Sequence, residues 1–128
     1  MRGYLCGGIN GLSDAEAMDW RERAKVEIPR IEWVDPMARD YRGRESENVR
    51  QIVESDLADI ASCDILLVWA ERPSWGTAME IVYARQAGKR IVTYCPGRIS
   101  PWLQYHSSVV VGTWNDVITA LLSEVARP

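Results

Sequence analysis

Two acidic side chains are the first candidates for chemistry, Glu80 in the stretch PSWGTAMEI and Asp56 in the stretch IVESDLADI. Both stretches have helical period, and the apolar run ILLVWA lies between them. Two carboxyl groups that converge on one pocket are the minimum equipment for cleaving a glycosidic bond, because one attacks or stabilises the anomeric carbon while the other assists the leaving group. The pair therefore indicates glycosidic chemistry if the fold brings the two segments together.

Each carboxyl group also has a purely structural interpretation. Thr77 and Glu80 have the spacing of a capping box, in which the glutamate would serve the helix terminus. Asp56 lies one position away from an apolar helical face, as an exposed surface acid would. A helix N-terminus at the mouth of a sheet would keep Glu80 ionised, which is the form that a nucleophile requires. Structural and catalytic roles both remain open for these residues.

Other kinds of catalytic site have less support. His106 is the single histidine, and no serine or cysteine lies in a nucleophile-elbow motif, which argues against a hydrolase triad. Cys6, Cys63 and Cys95 lack CxxC spacing and are predicted to be buried, reduced thiols. The loop CGGING predicts a tight turn or a close backbone approach to a sugar or phosphate, and it is not the GxGxxG of an NAD site. We therefore expect neither a metal nor a cofactor.

The elements that must position these residues alternate along the chain. Strands are predicted at 3–8, 31–34, 65–70, 90–95 and 108–112, and helices at 13–27, 45–61, 77–87 and 115–126. Ser13 and Glu16 have the spacing of a capping box at the start of the first helix. The run ILLVWA is apolar at every position, as expected for a strand that is buried on both faces. The alternation predicts a doubly wound, five-stranded parallel sheet with helices on both faces and with its site beyond the carboxyl ends of the strands.

Length and charge limit the partners. A chain of 128 residues is the size of one domain, and we expect that domain to span 1–128. The formal charge of −3 and the lack of a Lys/Arg-rich run argue against a polynucleotide partner. The apolar start of the chain is short and interrupted by Gly7 and Gly8, which is typical of neither a signal peptide nor a membrane span. These features predict a cytoplasmic protein with a small-molecule substrate.

Three stretches resemble the nucleoside 2-deoxyribosyltransferase family, which includes the related 2′-deoxynucleoside 5′-phosphate N-hydrolases. They are YLCGG, IVESDLADIASCDILLVWAERPSWGTAMEI and GKRIVTY. The resemblance implies a flavodoxin-like (Rossmann-like) fold and cleavage of the N-glycosidic bond of deoxynucleosides through a covalent sugar intermediate on Glu80. It further implies that Asp56 contacts and helps protonate the departing base, and that Tyr4 hydrogen-bonds the nucleophile.

The substrate-binding residues that we expect lie in the loops and at the helix start that follow the strands. They are Gly7, Gly8, Asn10, Ser74, Gly76, Met79, Ser100, Trp102 and His106. Family members that act on free nucleosides commonly carry an acidic residue at the position of Ser74, whereas the phosphate-specific N-hydrolases have serine there and use a second serine from a neighbouring subunit, which Ser100 matches. Those hydrolases also use a serine and an arginine where this chain has Gly8 and Asn10. The requirement for a 5′-phosphate is thus open.

The remaining loops add candidates for a lid and for phosphate binding. DPMARDYRG and SPWLQYH have the aromatic and arginine content of a lid over a base, and a packed loop explains that content equally well. Asn10, Arg39, Arg42 and Arg98 could donate to phosphate, although arginines in exposed loops are ordinarily just solvated.

Two further questions concern assembly and catalysis. Sites completed by a neighbouring subunit imply a homodimer or a larger homo-oligomer, for which the apolar face of helix 45–61 is one candidate contact surface if it is not core. A non-catalytic nucleotide-binding module of the same fold is the alternative to an enzyme. The joint presence of Tyr4, Asp56 and Glu80 argues against that alternative. The base and the acceptor, either a second base or water, are open.

Overall fold

The computed structural model describes all 128 residues and is built around a five-stranded, all-parallel sheet. Its strands are β1 (Arg2–Gly7), β2 (Glu32–Val34), β3 (Ile65–Trp69), β4 (Arg90–Tyr94) and β5 (Val109–Val111). Their order across the sheet is β2-β1-β3-β4-β5. This is the strand order of flavodoxin-like doubly wound folds, so the predicted fold class is confirmed.

Five helices connect or follow the strands. They are α1 (Asp14–Glu27), α2 (Val49–Ala61), α3 (Trp75–Gln86), α4 (Pro101–His106) and α5 (Trp114–Val125), with 3₁₀ turns at Pro36–Ala38 and Glu45–Glu47. The capping box at α1 is confirmed, since the Ser13 hydroxyl accepts from the Glu16 N–H and the Glu16 carboxylate accepts from the Ser13 N–H. The predicted helix 45–61 is divided at Asn48, where the backbone leaves helical geometry. The stretch SPWLQYH forms α4 rather than a loop, because Ser100 caps a turn that Pro101 begins.

The two faces of the sheet carry separate cores. Leu5 packs with Trp20 of α1 and Leu121 of α5 on one face, whereas Tyr4 packs with Ile60 of α2 and Ile81 of α3 on the other. Residues 65–68 of β3 are fully buried, as predicted for a strand covered on both sides. Because side chains alternate along a strand, every second residue of β1 faces α2 and α3.

A buried arginine supports the end of β1 that lies next to the site. β2 pairs with β1 only as far as Tyr4, so the later carbonyl groups of β1 lack a strand partner on that side. The fully buried Arg21 donates to the carbonyl oxygens of Leu5 (3.4 Å) and Gly7 (3.0 Å), and its Nε lies 3.6 Å from Asp35 Oδ1. The guanidinium therefore takes the place of the missing strand and satisfies the backbone there.

Other sequence-based expectations also meet the structure. Cys6, Cys63 and Cys95 are buried and free, as predicted. None of the five helices combines the length and the apolar character that crossing a membrane requires.

Candidate functional site

Glu80 lies in the second turn of α3. The helix begins at Trp75, and its N-cap is Ser74, whose hydroxyl accepts from the Thr77 N–H at 3.5 Å. Thr77 is thus the third residue of the helix, and the predicted capping box between Thr77 and Glu80 is wrong because α3 starts two residues earlier than predicted. The Glu80 carboxylate is instead directed toward β1, where it meets two donors.

Both oxygens of Glu80 accept hydrogen bonds from β1. The Tyr4 hydroxyl donates to Oε2 at 2.6 Å, and the Cys6 thiol donates to Oε1 with a sulfur–oxygen distance of 3.7 Å. Both donors are fully buried, and as residues two apart on a strand they share one face. Tyr4 was expected from the family resemblance and Cys6 was not, although its two-residue spacing from Tyr4 was a signal for it.

The electrostatics of the Glu80 carboxyl group are dominated by its burial. Its pKa is raised to about 7, chiefly by burial and also by the nearby charge of Asp56, against the opposing effects of the hydrogen bonds from Tyr4 and Cys6 and of the charge of Arg21. The pKa of Glu80 is thus raised, which is opposite to the effect expected of the helix terminus. Burial likewise raises the pKa of the Tyr4 hydroxyl and of the Cys6 thiol, so both remain protonated donors at neutral pH.

Asp56 approaches the same place from α2. Its side chain is 21% exposed, which contradicts its interpretation as a surface acid, and its Oδ1 lies 3.3 Å from Arg39 Nη2. Arg39 also bonds Asp59. Burial raises the pKa of Asp56, and the bond and charge of Arg39 oppose that increase. Because the charge of Asp56 raises the pKa of both Glu80 and Tyr4, these three side chains form one electrostatic unit.

One cavity lies between α1 and the start of α3, with a volume of about 510 Å³. We call it the α1-side cavity, and four of the predicted substrate-binding residues line it: Gly8, Asn10, Ser74 and Gly76. A Cβ atom at Gly8 would lie 3.8 Å from Ser74 Cβ, which places the first loop against the start of α3, and a Cβ at Gly76 would meet no atom within 4 Å. Gly7 has a packing role, because a Cβ there would lie 2.6 Å from the Trp20 ring.

A second cavity of about 710 Å³ lies between α3 and α4, and we call it the α4-side cavity. Ser100, Trp102 and His106 line it, together with Ser74, which the two cavities share. Glu80 lines neither cavity. The predicted substrate-binding residues are therefore divided between two spaces within one chain. Met79 lines neither cavity and is 66% exposed.

Two of the three candidate phosphate-binding arginines are already paired. Arg39 bonds Asp56 and Asp59, and Arg42 bonds Asp14 and Asp40. Arg98 lines the α4-side cavity. No group of three or more His, Cys, Asp or Glu side chains has the geometry to hold a metal ion.

Sequence comparison matches most of the chain to a family profile. A family profile described as nucleoside 2-deoxyribosyltransferase matches residues 4–106, a range that includes β1, Asp56, Glu80 and all of α4. No curated protein matches the chain by sequence.

Solved structures share the fold at low sequence identity. A 2-deoxyribosyltransferase from Bacillus psychrosaccharolyticus is 16% identical, with a TM-score of 0.73 over 92% of this chain and 90% of that one. A 2-deoxyribosyltransferase from Leishmania mexicana is 15% identical, with a TM-score of 0.65 over 98% and 99%. A CMP N-glycosidase from Clostridium botulinum is 18% identical, with a TM-score of 0.60 over 94% and 98%. At these identities the likeness concerns the fold.

Proposed function

The chain belongs to the nucleoside 2-deoxyribosyltransferase family and is an enzyme of that type, and from this premise we propose that it cleaves the N-glycosidic bond of (deoxy)nucleosides or their 5′-monophosphates through Glu80. The observation that carries the proposal is the partly buried Glu80 carboxylate, whose two oxygens are held by Tyr4 and Cys6 and which is electrostatically coupled to Asp56. A positioned carboxylate beside a second carboxyl group is the arrangement that a glycosidic double displacement requires.

The first step forms the sugar–enzyme ester. An oxygen of ionised Glu80 attacks C1′, the bond between C1′ and the base nitrogen breaks, and its electron pair leaves with the base. Asp56, in its protonated form, supplies the proton that neutralises the departing base. Tyr4 donates to Oε2 at 2.6 Å and fixes the direction of the carboxylate before attack.

The second step releases the enzyme. A second base or a water molecule attacks C1′ from the opposite side, the ester bond breaks and its electron pair returns to Glu80, and the proton that the acceptor loses passes to Asp56, which gave up its own in the first step. Transfer and hydrolysis differ only in this acceptor. The similar structures include two deoxyribosyltransferases and a glycosidase named for the nucleotide CMP, which supports either outcome on this fold.

The substrate is proposed to lie between Asp56 and the start of α3. The base contacts Asp56, and the sugar lies over Glu80 toward Gly8, Asn10, Ser74 and Gly76, all of which line the α1-side cavity. Met79 is proposed to contact the substrate from its exposed position next to Glu80.

The residues of the α4-side cavity are proposed to act across a subunit interface. Large apolar side chains are exposed on α2, α3 and α4: Val49, Val53, Trp75, Met79, Val82, Trp102 and Tyr105. Only Ile60 of α2 is buried, so its apolar face is mostly not core. A homodimer or larger homo-oligomer would cover this surface and bring Ser100, Trp102 and His106 to the site of a neighbouring subunit.

Subunit complementation tests the shared site. Glu80→Ala and His106→Ala are each expected to be inactive alone. When the two are mixed under conditions of subunit exchange, activity should return because some sites then receive one intact residue from each chain. Light scattering of the wild type gives the oligomer size. A monomer, or a mixture with no recovered activity, would contradict the shared site.

Chromatography tests the reaction itself. Purified protein is incubated with each deoxynucleoside and each deoxynucleoside 5′-monophosphate, with and without a second free base, beside a Glu80→Ala control. Release of a free base or formation of a new nucleoside is expected from the wild type, with a loss of at least about 10⁴-fold in the control. If Glu80→Ala were as active as the wild type, the assignment of the nucleophile would fail.

A further inference from the structure

We infer that the α1-side cavity selects an unphosphorylated nucleoside, and that Glu16 and Glu71 are the residues that exclude a 5′-phosphate. The inference rests on the proposed function, because it takes the sugar to lie over Glu80. If Asp56 contacts the base, the C5′ end of the sugar points away from Asp56, toward the start of α3. Six residues separate Ser74 from Glu80, or about 9 Å along the helix, which a sugar in contact with both can span.

The charged groups around this cavity sum to a negative charge. Two carboxylates, Glu16 and Glu71, and one cation, Arg72, line it. Arg72 is bonded to Glu16. Hydrogen bonds from the backbone and hydroxyl of Ser13 lower the pKa of Glu16, so this carboxylate is ionised at neutral pH. Glu71 accepts a hydrogen bond from the Trp69 indole N–H at 3.2 Å, which holds it at the cavity. A phosphate dianion would therefore enter a space that is already negative.

Of the three arginines named above as phosphate-binding candidates, Arg98 lines the α4-side cavity and not this one, and the other two are not free to compensate. Arg42 is bonded to Asp14 and Asp40, and Arg39 is bonded to Asp56 and Asp59, so each is matched by carboxylates. The N-terminus of α3 contributes only about half a positive charge. Charge repulsion of this kind discriminates strongly between ligands.

A hydroxyl group, in contrast, suits the same surroundings. An ionised carboxylate only accepts hydrogen bonds, and a 5′-hydroxyl has a proton to donate to it. Glu16 and Glu71 therefore favour the hydroxyl and oppose the phosphate, so the two carboxylates determine specificity in both directions.

Matched substrate pairs test this inference. The specificity constant kcat/KM is measured for each deoxynucleoside and its own 5′-monophosphate, and binding of the same pairs to Glu80→Gln protein is measured by calorimetry. We expect kcat/KM for the nucleoside to exceed kcat/KM for the monophosphate by about 100-fold. Glu16→Gln and Glu71→Gln should each reduce this ratio about tenfold, because each substitution should lower kcat/KM for the nucleoside and raise it for the monophosphate. Glu22→Gln is the matched control, because Glu22 is an exposed α1 carboxylate that pairs with Lys25 outside the cavity.

The outcomes separate this inference from the proposed function. Equal or better use of the monophosphate, or a ratio that neither cavity variant changes, would overturn the inference while leaving the role of Glu80 intact. A binding preference for nucleosides without turnover would support the inference and contradict the proposed reaction. Failure of every nucleoside to bind would overturn both.

Discussion

Glu80 and Asp56 belong to one site and are held in opposite ways. Glu80 is bound by two neutral donors on a buried strand, Tyr4 and Cys6, and burial raises its pKa to about 7. Asp56 is bound by the cation Arg39, which opposes the effect of burial on its pKa. Burial therefore favours the protonated form of Glu80, whereas the cation beside Asp56 opposes protonation of that group. The proposed reaction needs the reverse distribution, with Glu80 as the anion and Asp56 as the acid.

This contrast in hydrogen-bond partners indicates which partner, the donors on β1 or Arg39, responds to the substrate. Two interacting carboxyl groups titrate as a pair, and the active form of this pair carries one proton. The two donors on β1, Tyr4 and Cys6, are fully buried. Arg39, in contrast, lies in a loop directly after the 3₁₀ turn Pro36–Ala38, and its side chain is 34% exposed. A base that displaces Arg39 from Asp56 would move the proton to the acid. The exposed ion pair is thus the adjustable part of the site, and β1 is the fixed part.

Replacing Asp56 by asparagine breaks the pair and has the largest expected effect of the variants that follow. Loss of the general acid should reduce kcat/KM by about 10²- to 10³-fold. The wild type should show a bell-shaped pH profile whose basic limb lies at about 7, where the pair loses its last proton. For Asp56→Asn, kcat/KM should instead rise with pH to a plateau, because only the ionisation of Glu80 is then required. The midpoint of this rise should lie at a lower pH than the basic limb of the wild type.

Asp59→Asn is the matched control for that experiment, since Asp59 lies on the same helix and shares Arg39. It should retain the bell shape and most of the activity. A wild-type profile that stays flat above pH 8 would show that no proton on Asp56 is needed.

Replacing Glu80 by glutamine tests the buried half of the comparison through stability. A carboxyl group whose pKa is raised on folding binds more protons in the folded state, so the wild type loses stability as pH rises from about 4.5 through about 7. Glutamine cannot ionise. At pH 8 the variant should have a free energy of unfolding up to about 3 kcal/mol above that of the wild type, and the difference should vanish near pH 4.5. Urea unfolding at both pH values measures this, and a difference independent of pH would contradict the burial of the charge.

Replacing Arg39 by glutamine sharpens the comparison from the exposed side. Without the cation the pKa of Asp56 should rise, so the acid limb of kcat/KM should move to higher pH and its maximum should increase by up to about tenfold, because more of the pair holds its proton on Asp56. Arg39→Lys keeps the positive charge and should leave the acid limb at its wild-type pH. An unmoved limb with a lower maximum would instead identify Arg39 as a group that binds the substrate.

The alternation of elements was sufficient to predict the sheet, because a fully apolar β3 and helix-length connections leave few other topologies. Short elements were less predictable. A six-residue helix such as α4 has too few turns for an apolar period, and the start of α3 was misplaced because Ser74 and Thr77 are both acceptable caps, so only the folded backbone decides between them.

Some residues of the site could likewise be predicted from the sequence, and others could not. Glu80 and Asp56 could be named from the sequence, but their approach depends on how α2 and α3 pack on β1. Arg39 gave no sign of its partners, because an arginine in a loop is usually solvated. Arg21 had no sequence signal at all, since its burial follows from the early end of β2.

Cys6 provides the smallest and most specific test of the comparison, because its bond to Glu80 is neutral and weak. A thiol is a poorer donor than the Tyr4 hydroxyl, so Cys6→Ala should change kcat/KM only a few-fold. Its loss should raise the pKa of Glu80 and move the basic limb to higher pH, whereas Cys6→Ser, a stronger donor, should move that limb to lower pH. Cys63→Ala is the control, since Cys63 is a buried thiol in the same core that is not bonded to Glu80. Shifts of the same sign in both Cys6 variants would mean that packing around Glu80, and not hydrogen bonding to it, sets its pKa.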